Sequence, residues 1–243
     1  MRLMISTPCY GGTLMHRYVT SLIESVGQAT AENLFTEWYI HFQDRESLIH
    51  RARNRAAQYF LDSGFDRLLT IDADIDWTYD DFKRVVTSPH DIVGGIYPLK
   101  SFPVVMNFNP LPERGTEFFK SQRGIDYDAW GQFKAKYTDN FGLVEVRHLA
   151  TGFLAVDRKV FESLAQTCET YATFDSASGE YKKFFNFYPS DIKGEILRSE
   201  DWGFCDIARQ AGFRIYLDTN VCLGHTGNHR FRLGQFYGES GVM

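Results

Sequence analysis

From residue 2 to residue 97 short apolar runs alternate with helical patterns, and few architectures accommodate that alternation. Residues 2–6 read as a first strand ending at Thr7-Pro8-Cys9-Tyr10-Gly11-Gly12, where proline and paired glycines demand a turn. A helix over residues 14–28 follows, then an aromatic and β-branched strand over 35–42, then a helix over 46–63 that Gly64 stops. Residues 68–71 form a buried-type strand, Thr78 caps a helix over 79–87, and 92–97 is another apolar strand. This order predicts an α/β fold with a mainly parallel sheet, helices on both faces and right-handed crossovers. Sites in such sheets form beyond the C-terminal strand ends, so the turn after Ser6 and the acidic run after Ile71 share one edge.

Beyond residue 101 the pattern turns toward antiparallel strands and long loops, with extended segments at 104–108 and 142–148. A strand at 153–156 leads to a helix over 158–166. Residues 170–198 are aromatic and glycine-containing and fit no element, a length of loop that is usually functional or mobile. Ser199 caps a helix reaching Ala211, and 214–217 is a late strand. The helix over 46–63 has two faces: Leu48, Ile49, Ala52, Ala56, Tyr59 and Phe60 should pack on the sheet, with Arg51, Asn54, Arg55 and Gln58 opposite.

A length of 243 residues is enough for one large domain, and no repeat interrupts it. The net charge of −5 gives no general attraction for nucleic acid, which rests on many Lys and Arg contacts to phosphate. Cys9, Cys168, Cys205 and Cys222 are scattered without a CxxC pair, so neither a zinc knuckle nor a disulfide framework is indicated and reduced thiols are expected. The first apolar run breaks at Ser6-Thr7-Pro8, short of a signal core or a transmembrane segment. A soluble, cytoplasmic protein is the expectation, with its oligomeric state left open.

Three motifs could carry chemistry. In Ile71-Asp72-Ala73-Asp74-Ile75-Asp76 a strand runs into three alternating carboxylates, which repel one another unless a cation neutralises them. Hard divalent cations take such ligands, and a solvated acidic turn reads equally well. An EF-hand is excluded, because Trp77 holds its glycine position and Lys83 its closing glutamate position. Neither phosphate-cradling glycine motif of P-loop or Rossmann proteins occurs. Ser199-Glu200-Asp201-Trp202 places two carboxylates in a first helical turn, where the macrodipole alone favours them by ~0.3–1 kcal/mol and where one could also serve as a general base. Gly224-His225-Thr226-Gly227 sets a histidine in a chain able to approach something closely, either as an ordinary residue or as a ligand.

Taken in order, Thr7-Pro8-Cys9, Asp72-Ala73-Asp74, Thr151-Gly152-Phe153, Ser199-Glu200-Asp201-Trp202 with Ala211-Gly212-Phe213 after it, and Gly224-His225 resemble the succession in GT-A glycosyltransferases. The resemblance spans nearly the whole chain and is closest to inverting family-two-like enzymes, including small stand-alone transferases of bacteriophages and large viruses. It implies one GT-A catalytic domain over 1–243, with a nucleotide-sugar half (1–100), an acceptor-side half (101–225) and a tail (226–243). If the source is viral, the host cytoplasm is the implied location. The Asp72-Ala73-Asp74 unit resembles the DXD motif: Asp74 and His225 would coordinate Mn2+ or Mg2+, with Asp72 near the ion and the ribose. A carboxylate and imidazole set leans toward manganese.

The same resemblance makes Thr7, Pro8 and Tyr10 the lining of the nucleotide and Ala73 part of the donor loop. Asp201, with Glu200 beside it, is implied as the base that activates the acceptor hydroxyl. Thr151, Gly152, Phe153 and Trp202 would face the transferred sugar or acceptor. Arg51, Asn54 and Arg55 read either as donor contacts or as a solvated face, and Lys100 as a weaker phosphate contact. The implied partners are a UDP or GDP sugar and a glycan or other hydroxyl acceptor. Three alternatives remain at this stage. A modified base in viral DNA could be the acceptor, with His229-Arg230-Phe231-Arg232 toward phosphate. A nucleotidyltransferase or pyrophosphorylase is disfavoured by an early loop without lysine. A carbohydrate-binding module using its many Phe and Tyr residues is the non-catalytic reading.

Overall fold

In the computed structural model the described residues are 1–101, 105–114, 127–175 and 179–232. Strand β1 (Arg2–Pro8) is followed by a 3-10 turn at Tyr10–Gly12, α1 (His16–Ala31), β2 (Glu37–Gln43), α2 (Ile49–Ser63), β3 (Arg67–Ile71) and the short β4 (Ile75–Asp76). Next come α3 (Tyr79–Val86), β5 (Ile92–Ile96), β6 (Phe108–Pro110), α4 (Tyr127–Tyr137), β7 (Leu143–Leu149), β8 (Phe153–Asp157) and α5 (Arg158–Leu164). Two hairpins, β9 (Thr170–Asp175) with β10 (Glu180–Phe185) and β11 (Asp191–Lys193) with β12 (Ile196–Arg198), precede α6 (Glu200–Gln210), β13 (Ile215–Cys222), β14 (Gly224–Thr226) and β15 (Arg230–Phe231). The expected elements of the first hundred residues are all present, with ends shifted by up to three residues. Gly64 stops α2 at φ 75°, and Thr78 with Asp81 forms a complete capping box on α3.

Eight strands form the central sheet in the order β2-β1-β3-β8-β5-β13-β7-β6. Pairing sets β2, β1, β3, β5, β13 and β6 in one direction and inserts β8 and β7 against them. Side-chain alternation divides the core accordingly. Leu3, Ile5, Leu69, Ile71, Val93, Phe153 and Ala155 pack under α1 and α3, whereas Met4, Leu68, Ile92, Ile96, Leu154 and Val156 pack under α2, α4, α5 and α6. The α/β architecture with helices on both faces is thus as the alternation implies. Strands β8 and β13, from beyond residue 150, lie beside β3 and β5, so the two halves of the chain share one sheet.

The extended segment expected at 104–108 resolves into a bridge between Met106 and Pro98 and the start of β6; residues 102–104 lie outside the described residues. The stretch left unassigned at 170–198 contains the two hairpins. Ser199 occupies the N-cap of α6 in extended geometry but its hydroxyl makes no cap bond. The tail from 226 contributes β15, and residues 233–243 lie outside the described residues. All four cysteines are free thiols. Among the described residues no helix is long and apolar enough to cross a membrane.

Candidate active site

Asp72 follows directly on β3, its amide bonded to the Gly152 carbonyl at 2.9 Å, and the chain turns so that the Ile75 amide reaches the Asp72 carbonyl at 3.1 Å. Strand β4 then pairs antiparallel with β14, setting Ile75 opposite His225 and Asp76 opposite Gly224. The Thr226 amide bonds the Asp74 carbonyl at 2.8 Å. Backbone pairing therefore brings together the acidic run and the late histidine, which lie about 150 positions apart in the chain. Asp76 is buried and takes both its oxygens to the Arg230 guanidinium, which clamps β15 onto β4. That pairing also commits Arg230, one of the cations considered for DNA phosphate.

His225 Nδ1 lies 2.7 Å from the Pro98 carbonyl, which can only accept, so this nitrogen carries the proton. Nε2 then turns its lone pair toward Asp74 Oδ1 at 3.5 Å. A carboxylate and an imidazole lone pair facing one another need a proton or a metal cation between them. A backbone carbonyl fixing the tautomer is the usual outer support of a metal-bound imidazole. Among the described residues no three His, Cys, Asp or Glu side chains form a closed cage. Two protein ligands suit an ion whose other positions go to phosphate oxygens and water, as is common for magnesium. The residues present therefore fit a divalent cation only if it takes its further oxygen ligands from outside the protein. The remaining partner of Asp74 is Lys100, whose ammonium contacts Oδ2. Burial raises the Asp74 carboxyl, but His225 and the Lys100 ammonium beside it outweigh that and hold it below the usual range.

The residue that organises the other carboxylates is one the sequence reading missed. Arg53, on α2 and with 4% of its side chain exposed, donates to Asp72 Oδ1 at 2.9 Å and Glu200 Oε1 at 3.3 Å, and lies 3.9 Å from Asp201 Oδ1. Burial opposes its charge, yet Asp72, Asp201 and Glu200 raise its pKa and keep it a guanidinium. Burial also pushes up the carboxyls of Asp72 and Asp201, with Arg53 pulling each of them down. A basic, desolvated Asp201 suits a group that takes a proton. It further accepts from the Thr151 hydroxyl. Arg53 stands at i−4 and i−7 from the buried Ala57 and Phe60, and a charge in register with an apolar face was the available signal.

Thr151 and Gly152 enter at this edge because β8 runs against its neighbours and begins where β3 ends. The Gly152 amide donates to the Tyr97 hydroxyl at 3.0 Å. A Cβ at Gly152 would lie 2.4 Å from that hydroxyl and 2.5 Å from Asp72 Oδ2. Gly152→Ala is therefore expected to cost about 1–3 kcal/mol, or roughly 2–12 °C in Tm for a domain of this size, and to displace Asp72. Thermal melting together with Mn2+ titration checks this; unchanged values for both would show that the gap tolerates a methyl.

Several expected site residues are buried or engaged by protein partners. Thr7, Asn54, Thr151 and Phe153 are each 0% exposed. The Thr7 hydroxyl bonds Tyr18 at 2.5 Å. Asn54, placed by the helical pattern on a solvated face, instead clasps the Tyr188 amide at 2.9 Å and Asn186 at 3.2 Å. The reason is that α2 buries Ala52, Arg53, Asn54, Ala56, Ala57 and Phe60, a face rotated from the expected one and leaving Leu48, Ile49 and Tyr59 exposed. Phe153 packs on Trp77 in the core. Arg51 and Arg55 converge on the buried Glu46, at 2.7 Å and 3.6 Å. Trp202 lays its ring against His148, centroids 4.6 Å apart. Pro8 and Ala73 are partly exposed at the sheet edge and Tyr10 is 69% exposed in the 3-10 turn. An open cavity of about 660 Å³ lies at the opposite sheet edge, but its charged lining is largely engaged in pairs such as Arg67–Asp157 and Arg158–Glu162.

A scan of protein-family models found no match, and a search of curated proteins found none either. Among solved structures the chain is similar to A197 from STIV, with a TM-score of 0.56 at 14% identity, covering 100% of this chain and 99% of that one. It is also similar to GalNAc-T7, solved with UDP, GalNAc and Mn2+, with a TM-score of 0.52 at 14% identity, covering 98% of this chain and 45% of that one. The fold is thus GT-A-like. The chain spans about half the length of GalNAc-T7.

Proposed function

We propose that this chain transfers a sugar from a nucleotide-diphosphate donor, a UDP or GDP sugar, to a hydroxyl acceptor with inversion at the anomeric carbon. The observation that carries the reading is the junction of two half-sites at one sheet edge. Asp74 and His225 face one another at 3.5 Å, a pair suited to a cation, and the half-buried Asp201 stands next to Asp72 through their common partner Arg53. The GT-A fold supports it, as do the UDP, GalNAc and Mn2+ in the GalNAc-T7 structure.

Asp74 and His225 would hold Mn2+ or Mg2+, with Asp72 beside them, and the bound ion supplies positive charge to the leaving diphosphate. Asp201 accepts the acceptor's hydroxyl proton as that oxygen bonds to the anomeric carbon. The bond to the diphosphate oxygen breaks on the opposite face, and its electron pair leaves with the phosphate. Glu200 and Asp72 share Arg53, which keeps both halves of the site in one geometry. Residues 1–100 would supply most donor contacts and 101–225 the acceptor side.

A thermal-shift screen of UDP and GDP sugars with Mn2+ tests the reading. One donor is expected to stabilise the protein by about 2.7 kcal/mol at a hundredfold excess over its Kd, and only with metal present. No shift from any nucleotide sugar would contradict the proposal.

A further inference from the structure

Lys100 is the cation already present on the predicted metal-binding carboxylate. Its ammonium contacts Asp74 Oδ2 while His225 Nε2 faces Oδ1 at 3.5 Å, so the two oxygens of one carboxylate are divided between a lysine and a histidine. The lysine stem reaches this point across the β14–β15 turn, where a Cβ on Gly227 would come within 3.2 Å of Lys100 Cδ. The lysine side chain remains 37% exposed, so it is not locked in place. Four carboxylates meet around this edge, Asp72, Asp74, Glu200 and Asp201, against two cations, Arg53 and Lys100. Four negative charges less two positive leave two, the charge of one divalent ion.

We infer that Lys100 is an exchangeable counter-ion: it holds the place of the divalent cation on Asp74 before the donor arrives, and moves to the donor's diphosphate when that cation binds. The inference rests on the metal site proposed above. An ammonium on Asp74 competes with a divalent ion for the same oxygen, and its charge repels the ion at short range. Once displaced, the flexible four-carbon stem and compact charge of a lysine suit a phosphate oxygen bound beside it. The same side chain thus weakens metal binding in the absence of a diphosphate and strengthens diphosphate binding in the presence of metal. Free metal uptake and donor uptake become coupled, because each removes the cost that the other meets alone.

The opposite signs of these two effects make the test. Mn2+ alone is titrated calorimetrically into the wild-type protein, Lys100→Met and Lys100→Arg, and inorganic pyrophosphate is then titrated at saturating Mn2+. Lys100→Met is expected to bind Mn2+ alone about 3- to 10-fold more tightly than wild type and pyrophosphate about 3- to 10-fold more weakly, with Lys100→Arg near wild type in both. Mn2+ binding to Lys100→Met that is equal to or weaker than wild type overturns the inference. So does unchanged pyrophosphate affinity. Asp74→Asn in the Lys100→Met background separates this from the underlying reading: if Mn2+ binding persists there, the metal assignment itself fails. Lys100 is exposed enough that its replacement leaves the fold intact, and a melting curve of each variant confirms it.

Discussion

Asp201→Asn is expected to bind metal and nucleotide sugar as the wild type does and to lose sugar transfer by about 10²- to 10⁴-fold, the range a general base contributes. The amide keeps the size of the side chain and can still accept from the Thr151 hydroxyl, so local structure should persist. What it loses is the capacity to take a proton at a position 19% exposed, next to a guanidinium that opposes a second positive charge. The informative comparison is kcat against the donor KM. A fall confined to kcat is the signature of a group used in the transition state. A fully active Asp201→Asn removes it as the base, and raised donor KM with intact kcat would make it a binding residue.

Arg53→Met should show the largest effect on stability. The guanidinium is the shared partner of Asp72, Glu200 and Asp201, and removing one partner of a buried ionic cluster leaves the other charges uncompensated. The expected loss is about 3–5 kcal/mol, or roughly 6–20 °C in Tm. The loss has a predictable pH dependence. Without Arg53 nothing offsets the burial that raises Asp72 and Asp201, and both bind protons more readily in the folded than in the unfolded state. The folded variant therefore gains stability relative to the unfolded one as pH falls. The deficit against wild type should be largest near pH 8 and shrink toward pH 5, measured in EDTA. Arg53→Lys restores the charge without the planar fork and should recover only part of the loss. Melting of Arg53→Met at the wild-type temperature at pH 8 would remove Arg53 from its organising role.

The fold and the candidate site differ in how visible they are in the sequence. The alternation of strands and helices through residue 97 encodes local periodicity, which propensity and burial express directly, so β1, α1, β2, α2, β3, α3 and β5 are all present. Strand direction is another matter. Phe153–Asp157 is buried on both faces, and such a run reads the same whether it lies parallel or antiparallel. Its insertion between β3 and β5 depends on connections far along the chain, and with it the entry of Thr151 and Gly152 at the site edge. The hairpins of 170–198 stayed hidden because Tyr181, Ile192, Ile196 and Leu197 are exposed, contrary to the pattern that apolar strands normally present.

The site divides along the same line. Asp72, Asp74, Asp201 and His225 stood out as residue types in order, and the structure brings all four to one edge of the sheet. Their partners did not stand out. Arg53 sits inside Arg-Ala-Arg-Asn-Arg, where five neighbouring polar or small residues blur a helical stripe, and a rotation of the buried face by one position exchanges solvated residues for buried ones. Asp76 gave no sign of its pairing with Arg230, since the two lie 154 positions apart.

The most direct measurement is release of nucleoside diphosphate from the donor picked out by thermal shift, followed with Mn2+, with EDTA, and in Asp74→Ala. Release is expected with Mn2+ and is expected to be lost in EDTA and in the variant. Release that continues unchanged in EDTA and in Asp74→Ala would contradict the proposed function.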